Sequence, residues 1–262
     1  MSNDNNRIFL IALLILVGGF LLFMFLPKTN AKKNADAHAG TKTHGMSPEM
    51  QMYSRRIENP LTPEISLSML QNGNQRYVQM KQNTLSGLNP ERRKFLEHGQ
   101  WPYAIILTTS DSRISPEYVF DAGLGDLVVI RNAGHNCEAS VFSAIENVLI
   151  NGNCRLLVVM GHEDDPTIRQ AIKKVEHPDA VESFWTEAAV QKIVPSVLNA
   201  QKDRYEKKRM EEIVSKLHVE STIATLKSGS KIIQRQVDSG KIKIIGAYAR
   251  IRTGKVDFIS VD

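Results

Sequence analysis

Ile8 to Leu26 (IFLIALLILVGGFLLFMFL) carries no charge over nineteen residues, close to the roughly 20 that span a bilayer as a helix. A soluble core helix would show polar positions at helical spacing, and this run shows none. A cleavable signal peptide is the rival reading, with Thr29-Asn30-Ala31 as its cleavage point. Its apolar core would ordinarily be about 7–15 residues. The pattern predicts an uncleaved transmembrane anchor over residues 8–26, behind a short head of residues 1–7. Residues 27–60 are polar, rich in Lys, Ala, Asn and His, and lack an apolar period; they read as a flexible linker.

From residue 61 to 262 the pattern is that of a folded domain. Thr62-Pro63-Glu64 is a helix start, with a hydroxyl cap, proline at the first helical position and an acid in the first turn. Ile65, Met69, Leu70 and Tyr77 follow at helical spacing and predict its buried face. Three short β-rich runs come next: YAIILTT from Tyr103, LVVIR from Leu127 and RLLVVMG from Arg155. A helix from Glu138 to Ile150, with Val141, Ala144, Ile145, Val148 and Leu149 on one face, separates the last two. Continuous apolar strands alternating with helices imply a mostly parallel sheet flanked by helices, an α/β fold. After Pro166 the chain reads as helical to about Val237, with a break at Pro195. It closes in a hairpin, KIKIIGAYARI and KVDFISV, about Thr253-Gly254.

Composition narrows the classes. Hydrophobic and charged fractions of 42% and 23% are ordinary for a globular domain. The net charge of +5 comes with acids interleaved among the bases, so there is no nucleic-acid footprint. Cys137 and Cys154 flank the helix of about fourteen residues, which separates them by roughly 20 Å, too far for a disulfide. Side of the membrane is set by opposing signals. Lys28, Lys32, Lys33 and Lys42 follow the anchor while Arg7 alone precedes it, which would retain the domain in the cytoplasm. The seven-residue head is the layout of a secretory anchor, and the reading adopted is a bacterial inner-membrane protein with a periplasmic domain.

In open parallel sheets, ligands bind beyond the carboxyl ends of the strands. TTSDSR (Thr108 to Arg113), RNAGH (Arg131 to His135) and GHEDD (Gly161 to Asp165) all fall there. They bring an acid, a guanidinium, a glycine turn and a histidine to one crevice. This set resembles the β-class carbonic anhydrases, whose signature is C-x-D-x-R, then R-N-A-G, then G-H-x-x-C. The resemblance runs through Gly73-Asn74-Gln75-Arg76-Tyr77, Ser110-Asp111-Ser112-Arg113, Pro116-Glu117, Gly125-Asp126, Arg131-Asn132-Ala133-Gly134 and Gly161-His162. It resumes at Gly246-Ala247-Tyr248 and Thr253-Gly254.

The resemblance implies that fold, a homodimer or higher oligomer, and a zinc held by two cysteine thiolates and one histidine beside an Asp–Arg pair. Aligned by motif, Thr109 and Asp165 stand at the cysteine positions, His162 at the histidine, and Asp111 with Arg113 at the dyad. Asn132, Ala133 and Gly134 shape the pocket, and Pro166 replaces the glycine after the second cysteine. A neutral threonine hydroxyl is a poor ligand, whereas Asp165 restores one charge as a hard oxygen donor. Asp111, His162 and Asp165 together would make a three-ligand site for zinc, but Arg113 competes for Asp111.

Two functions from different classes follow. One is a degenerate member without a cofactor, serving as a binding or assembly module in an envelope complex; this is the reading adopted. The alternative is an active carbonic anhydrase with an altered Asp/His/Asp zinc site. Structural roles stand beside each residue: Asp165 as the cap of the helix after Pro166, Thr109 as a strand residue, Asp111–Arg113 as a turn-fixing ion pair, His162 as a core histidine. Cys137 reads as a buried, inert thiol rather than a reactive one. Lys202 to Glu212 reads as a solvated helix face rather than a lipid contact. Ser110, Ser112 and His135 lack the oxyanion-hole motif of a nucleophile and base.

Overall fold

The three apolar runs form β1 (Ala104–Thr109), β2 (Leu127–Asn132) and β3 (Leu156–His162), and the closing hairpin forms β4 (Lys243–Ala249) and β5 (Val256–Ile259). In this computed structural model, residues 51, 54–56, 59–83, 88–151, 154–179, 183–202 and 209–259 are described. Among them the sheet order is β2-β1-β3-β4-β5, parallel except for the antiparallel β4–β5 pair. Thr109 of β1 pairs with Asn132 of β2, and His162 of β3 with Ala249 of β4. The register thus brings the three chemistry-bearing turns to one edge of the sheet.

The central strands β1 and β3 are apolar on both faces because both are covered. On one face, Ile105, Leu107, Leu157 and Val159 pack against α4 (Ala139–Asn151), α8 (Met210–Gly229) and α9 (Lys231–Asp238). On the other, Ala104, Ile106, Val158 and Met160 meet Leu70 of α1 (Pro63–Val78) and Val119 of α3 (Pro116–Val119). The helix α2 (Pro90–Leu96) precedes β1. A third cluster gathers α5 (Pro166–Glu176), α6 (Phe184–Gln191) and α7 (Val194–Lys202) around Val214 of α8. The break expected at Pro195 falls at Lys192–Ile193, leaving Pro195 in the first turn of α7, where its missing N–H costs nothing.

Two expectations are corrected. Ile65 does not join the buried face of α1; it is 49% exposed, and Ser66, Leu70, Gly73 and Asn74 are buried instead. The helix lies so close to the backbone of Phe120 that glycine and asparagine occupy the contact. Asn74 Nδ2 donates to the carbonyls of Val119 (3.1 Å) and Gly254 (2.8 Å), and its Oδ1 accepts the Val256 N–H (2.9 Å). The linker also ends sooner than residue 60. Arg56 is buried, bonded to Asp126 at 2.6 Å and lying over the Tyr103 ring.

The expected anchor over residues 8–26 lies outside the described residues, as do the head and most of the linker. Among the described residues no helix is long and apolar enough to cross a membrane. Residues 203–208, most of the lysine-rich stretch, also lie outside them.

Candidate functional site

The turn after β1 is built around Asp111. Its N–H donates to Thr109 Oγ1 (3.2 Å), and its carboxylate accepts Arg113 Nε and Nη2 at 2.9 and 2.6 Å, together with the Arg113 N–H. Arg113 Nη2 also reaches the Asp164 carbonyl at 3.0 Å, tying this turn to the one after β3. The Arg113 hydrogen bonds hold the Asp111 carboxyl down at about 2, against the opposing effect of burial. Arg113 keeps 43% of its side chain exposed while that of Asp111 is 10% exposed, so the guanidinium side of the dyad meets solvent. Arg131 fastens the same turn from β2, donating to the carbonyls of Thr109, Asp111 and Ile114.

The turn after β2 is self-bonded. Asn132 exchanges hydrogen bonds with the backbone of Asn136, and Asn136 Nδ2 donates to the Ala133 and Ala189 carbonyls. Gly134 has φ of 70°, where a Cβ would also stand 2.8 Å from Ile193 Cδ1. Asn132, Ala133 and Gly134 therefore set the path of the turn.

At the end of β3 the two readings of Asp165 meet in one side chain. Its Oδ1 accepts the Thr167 N–H at 2.8 Å and caps α5; its Oδ2 stands 3.3 Å from His162 Nε2. Both side chains are fully buried, and neither Oδ2 nor Nε2 has a hydrogen-bond partner among the described residues. His162 Nδ1 lies 2.7 Å from the Glu163 carbonyl. That partner requires a proton on Nδ1, leaving a lone pair on Nε2 in the neutral ring.

Sequence reasoning missed what lies behind this pair. His135 is fully buried with neither nitrogen bonded, and its ring packs 4.8 Å from that of His218 in α8. His218 Nε2 sits 3.0 Å from the Gly134 carbonyl and 3.1 Å from Asn136 Oδ1, while its Nδ1 has no partner. Ser215 Oγ, also unpartnered, would lie 2.5 Å from a Cβ at Gly161. The available signal was polar residues on a buried helical stripe: Ser215, His218 and Thr222 interleave with Val214, Val219 and Ile223.

Burial pushes the His135 imidazole well below 6.5, with His218 and His162 adding to the effect. Burial also takes His218 down to about 4, against the Gly134 hydrogen bond and the Asp165 charge. Between about 6.5 and 4 the unfolded chain therefore binds protons that the folded one excludes, so stability rises with pH through that window. Urea unfolding at about pH 7 and pH 5 should show a loss of roughly 1 kcal/mol or more at the lower pH. A profile flat from 7 to 5 would contradict the buried, neutral state.

Ser110 and Ser112 are exposed while His135 is buried, so no nucleophile–base pair forms. Both cysteines are free, and burial pushes Cys137 up to about 11 and Cys154 up to about 12. The Asp111/His162/Asp165 set is not drawn together: Asp111 is turned to Arg113, and among the described residues no three His, Cys, Asp or Glu side chains are already close enough to hold a metal ion.

A family-wide sequence profile described as carbonic anhydrase matches residues 104–256. Carbonic anhydrase 2 of Mycobacterium tuberculosis is 30% identical over 193 residues, 74% of this chain and 91% of that protein. The carbonic anhydrase of Mycolicibacterium smegmatis is 30% identical over 198 residues, 76% of this chain and 94% of that protein. Among solved structures, the β-carbonic anhydrase CcaA superposes with a TM-score of 0.57 at 21% identity, covering 74% of this chain and 99% of that one. Tetrameric β-carbonic anhydrases of Sordaria macrospora give 0.59 at 19% identity, covering 66% and 88%.

Proposed function

Because this chain belongs to the β-class carbonic anhydrase family, we propose that its crevice carries out the reversible hydration of CO2 to bicarbonate. The observation that carries this reading is the bidentate Asp111–Arg113 pair, with the His162 Nε2–Asp165 Oδ2 pair buried behind it at 3.3 Å. The names of relatives matched over nine-tenths of their length support it. This reading is therefore preferred to the degenerate module that the missing thiolates suggested.

The donor set implied by the resemblance does not carry over intact. Thr109 offers a neutral hydroxyl that already accepts the Asp111 N–H. Asp111 is held by Arg113, and Asp165 shares its carboxylate with the end of α5. One imidazole and one half-engaged carboxylate are too few for a tight catalytic zinc, which takes three protein ligands.

Stopped-flow CO2 hydration, on full chain purified without chelator or affinity tag, tests the function. Catalysis above the buffer rate is expected, falling by at least about 100-fold in His162→Ala. A buffer-level rate in the parent protein, with and without added zinc, sinks the enzyme reading.

A second reading is favoured by the same engaged oxygens at Thr109 and Asp165: a metal-free module that binds bicarbonate or another small anion through Arg113. It expects binding without turnover, and activity only when Thr109→Cys is combined with Asp165→Cys. The apolar run over residues 8–26 supports single-pass membrane attachment, and the seven-residue head before it an exported domain. The tetrameric state named for the Sordaria proteins supports an oligomer. Membrane fractionation with protease accessibility, and light scattering in detergent, test these two.

A further inference from the structure

Between Lys227 and Lys243 the chain carries five bases and one acid, Asp238. The fold gathers these bases, with Arg155, at the end of the sheet opposite the crevice. The parallel strands start level there: Ala104 stands beside Leu127, and Leu156 beside Lys243. Arg155 immediately precedes β3, its carbonyl accepting the Lys243 N–H at 3.0 Å. Helix α8 begins at the crevice end, where Glu212 meets Arg250 at 3.3 Å. Its 20 residues run about 30 Å back, which puts Lys227 of its last turn at the far end. Lys231 and Arg235 follow one turn apart on α9, and Lys241 sits in the turn that leads α9 into β4.

Charge at the two ends is handled differently. At the crevice end Arg113, Lys216, Arg250 and Arg252 each meet a carboxylate within 3.4 Å. At the far end none of the six bases enters an ion pair among the described residues, and Lys231, Arg235, Lys241 and Lys243 are exposed. Two exposed acids, Asp238 and Glu64, share that end; Glu64 lies near enough to Lys243 to interact with it electrostatically. The face therefore keeps an uncompensated positive field.

The chain also enters the domain at this end. Arg56 reaches Asp126, just ahead of β2, and lies over the ring of Tyr103, just ahead of β1. Residues 27–55 join that point to the apolar run 8–26, at most about 100 Å of chain at ~3.3–3.6 Å per residue. A domain tied to a bilayer by that length meets its headgroups at high effective concentration. Negatively charged headgroups strengthen attachment about fivefold for each lysine or arginine near them, and they need exposed cations rather than a pocket.

We propose that this basic end of the domain docks on anionic phospholipid headgroups, so that the crevice, at the other end of the strands, opens away from the bilayer. The proposal rests on the single-pass attachment argued above and on nothing in the crevice chemistry.

The test uses the full chain reconstituted into vesicles of phosphatidylcholine, pure or with about 30% phosphatidylglycerol, and reads the acetylation rate of each lysine by mass spectrometry. Lys255, 64% exposed at the crevice end beside the Val256–Ala249 pair, is the internal reference. In about 50 mM salt, Lys231, Lys241 and Lys243 should react at least about fivefold more slowly, relative to Lys255, in the anionic vesicles than in the neutral ones. The difference should vanish in about 500 mM salt, where charges are screened within a few Å. Combining Lys231→Glu with Lys241→Glu, both at exposed positions, should remove the protection of Lys243 and leave the circular dichroism unchanged. Equal rates in the two kinds of vesicle, or slowing of Lys255 alone, overturn the proposal. So does protection that appears without lipid and grows with protein concentration, which would give the face to a second copy. Flotation with neutral vesicles in high salt reads attachment separately. A chain that does not float, yet is protected by anionic vesicles, keeps this docking face and loses the anchor; a floating chain without protection does the reverse.

Discussion

Gly73→Ala is expected to abolish the folded domain or to cost at least about 4 kcal/mol, the range reserved for a named, severe packing fault. A Cβ at residue 73 would sit 1.8 Å from the Phe120 carbonyl oxygen and 2.7 Å from its carbon. Both are main-chain atoms at the end of α3, which cannot rotate away as a side chain could. The adjacent Asn74 holds α1 against that same segment through the Val119 carbonyl, so relief by sliding the helix would break a buried hydrogen bond. Gly240→Ala is the matched control. It has φ of 67° but nothing within 4 Å of an added Cβ, so it should cost only about 1–2 kcal/mol of backbone strain. Soluble yield, circular dichroism and urea midpoints compared across the two variants check this; equal, mild losses would mean that α1 has room to move.

The second large effect is at Asp126. One of its oxygens receives Arg56 Nη1 at 2.6 Å and Arg92 Nη2 at 2.8 Å, and the other accepts the Gly123 N–H at 2.9 Å. Both arginines are almost wholly buried. Asp126→Asn removes the charge that two desolvated guanidinium groups share, and breaking a buried pair in this one-sided way typically costs about 3–5 kcal/mol. Urea denaturation should register that loss, with a midpoint shift and little change in slope. A cost below about 1 kcal/mol would show the cluster to be wetter than its geometry states.

Much of this architecture was legible because it rests on period and punctuation. The strands, the helix after residue 138 and the closing hairpin follow from apolar runs bounded by turn residues, and Thr62 caps α1 as its Thr-Pro-Glu start implies. Ile65 misled because helical spacing assumes that the largest apolar side chain faces inward. Here the inward face is set by how closely two backbones approach, which favours Gly73 and Asn74. Arg56 was taken for linker because a single basic residue carries no period; its partner, Asp126, lies 70 residues further on. At the site, the dyad and His162 could be read from motif spacing, and Asp165 could be read two ways because it is used two ways. His218 could not be read, since its relation to Gly134 spans 84 residues and exists only once α8 packs under the turn after β2.

The bonds of Asn74 bear on the order in which the chain matures on the ribosome. The side chain that secures α1 does so against Gly254 and Val256, 180 and 182 positions later. While β5 is still in the exit tunnel, α1 lacks this latch and is held by its contacts with α3, by the Arg76–Asp121 pair and by the sheet core. Domains assemble largely in the order they are synthesised, yet here α1 cannot be latched until the β4–β5 hairpin emerges. The nascent domain must therefore wait, with its α1 flank open, for the start of β5 to emerge.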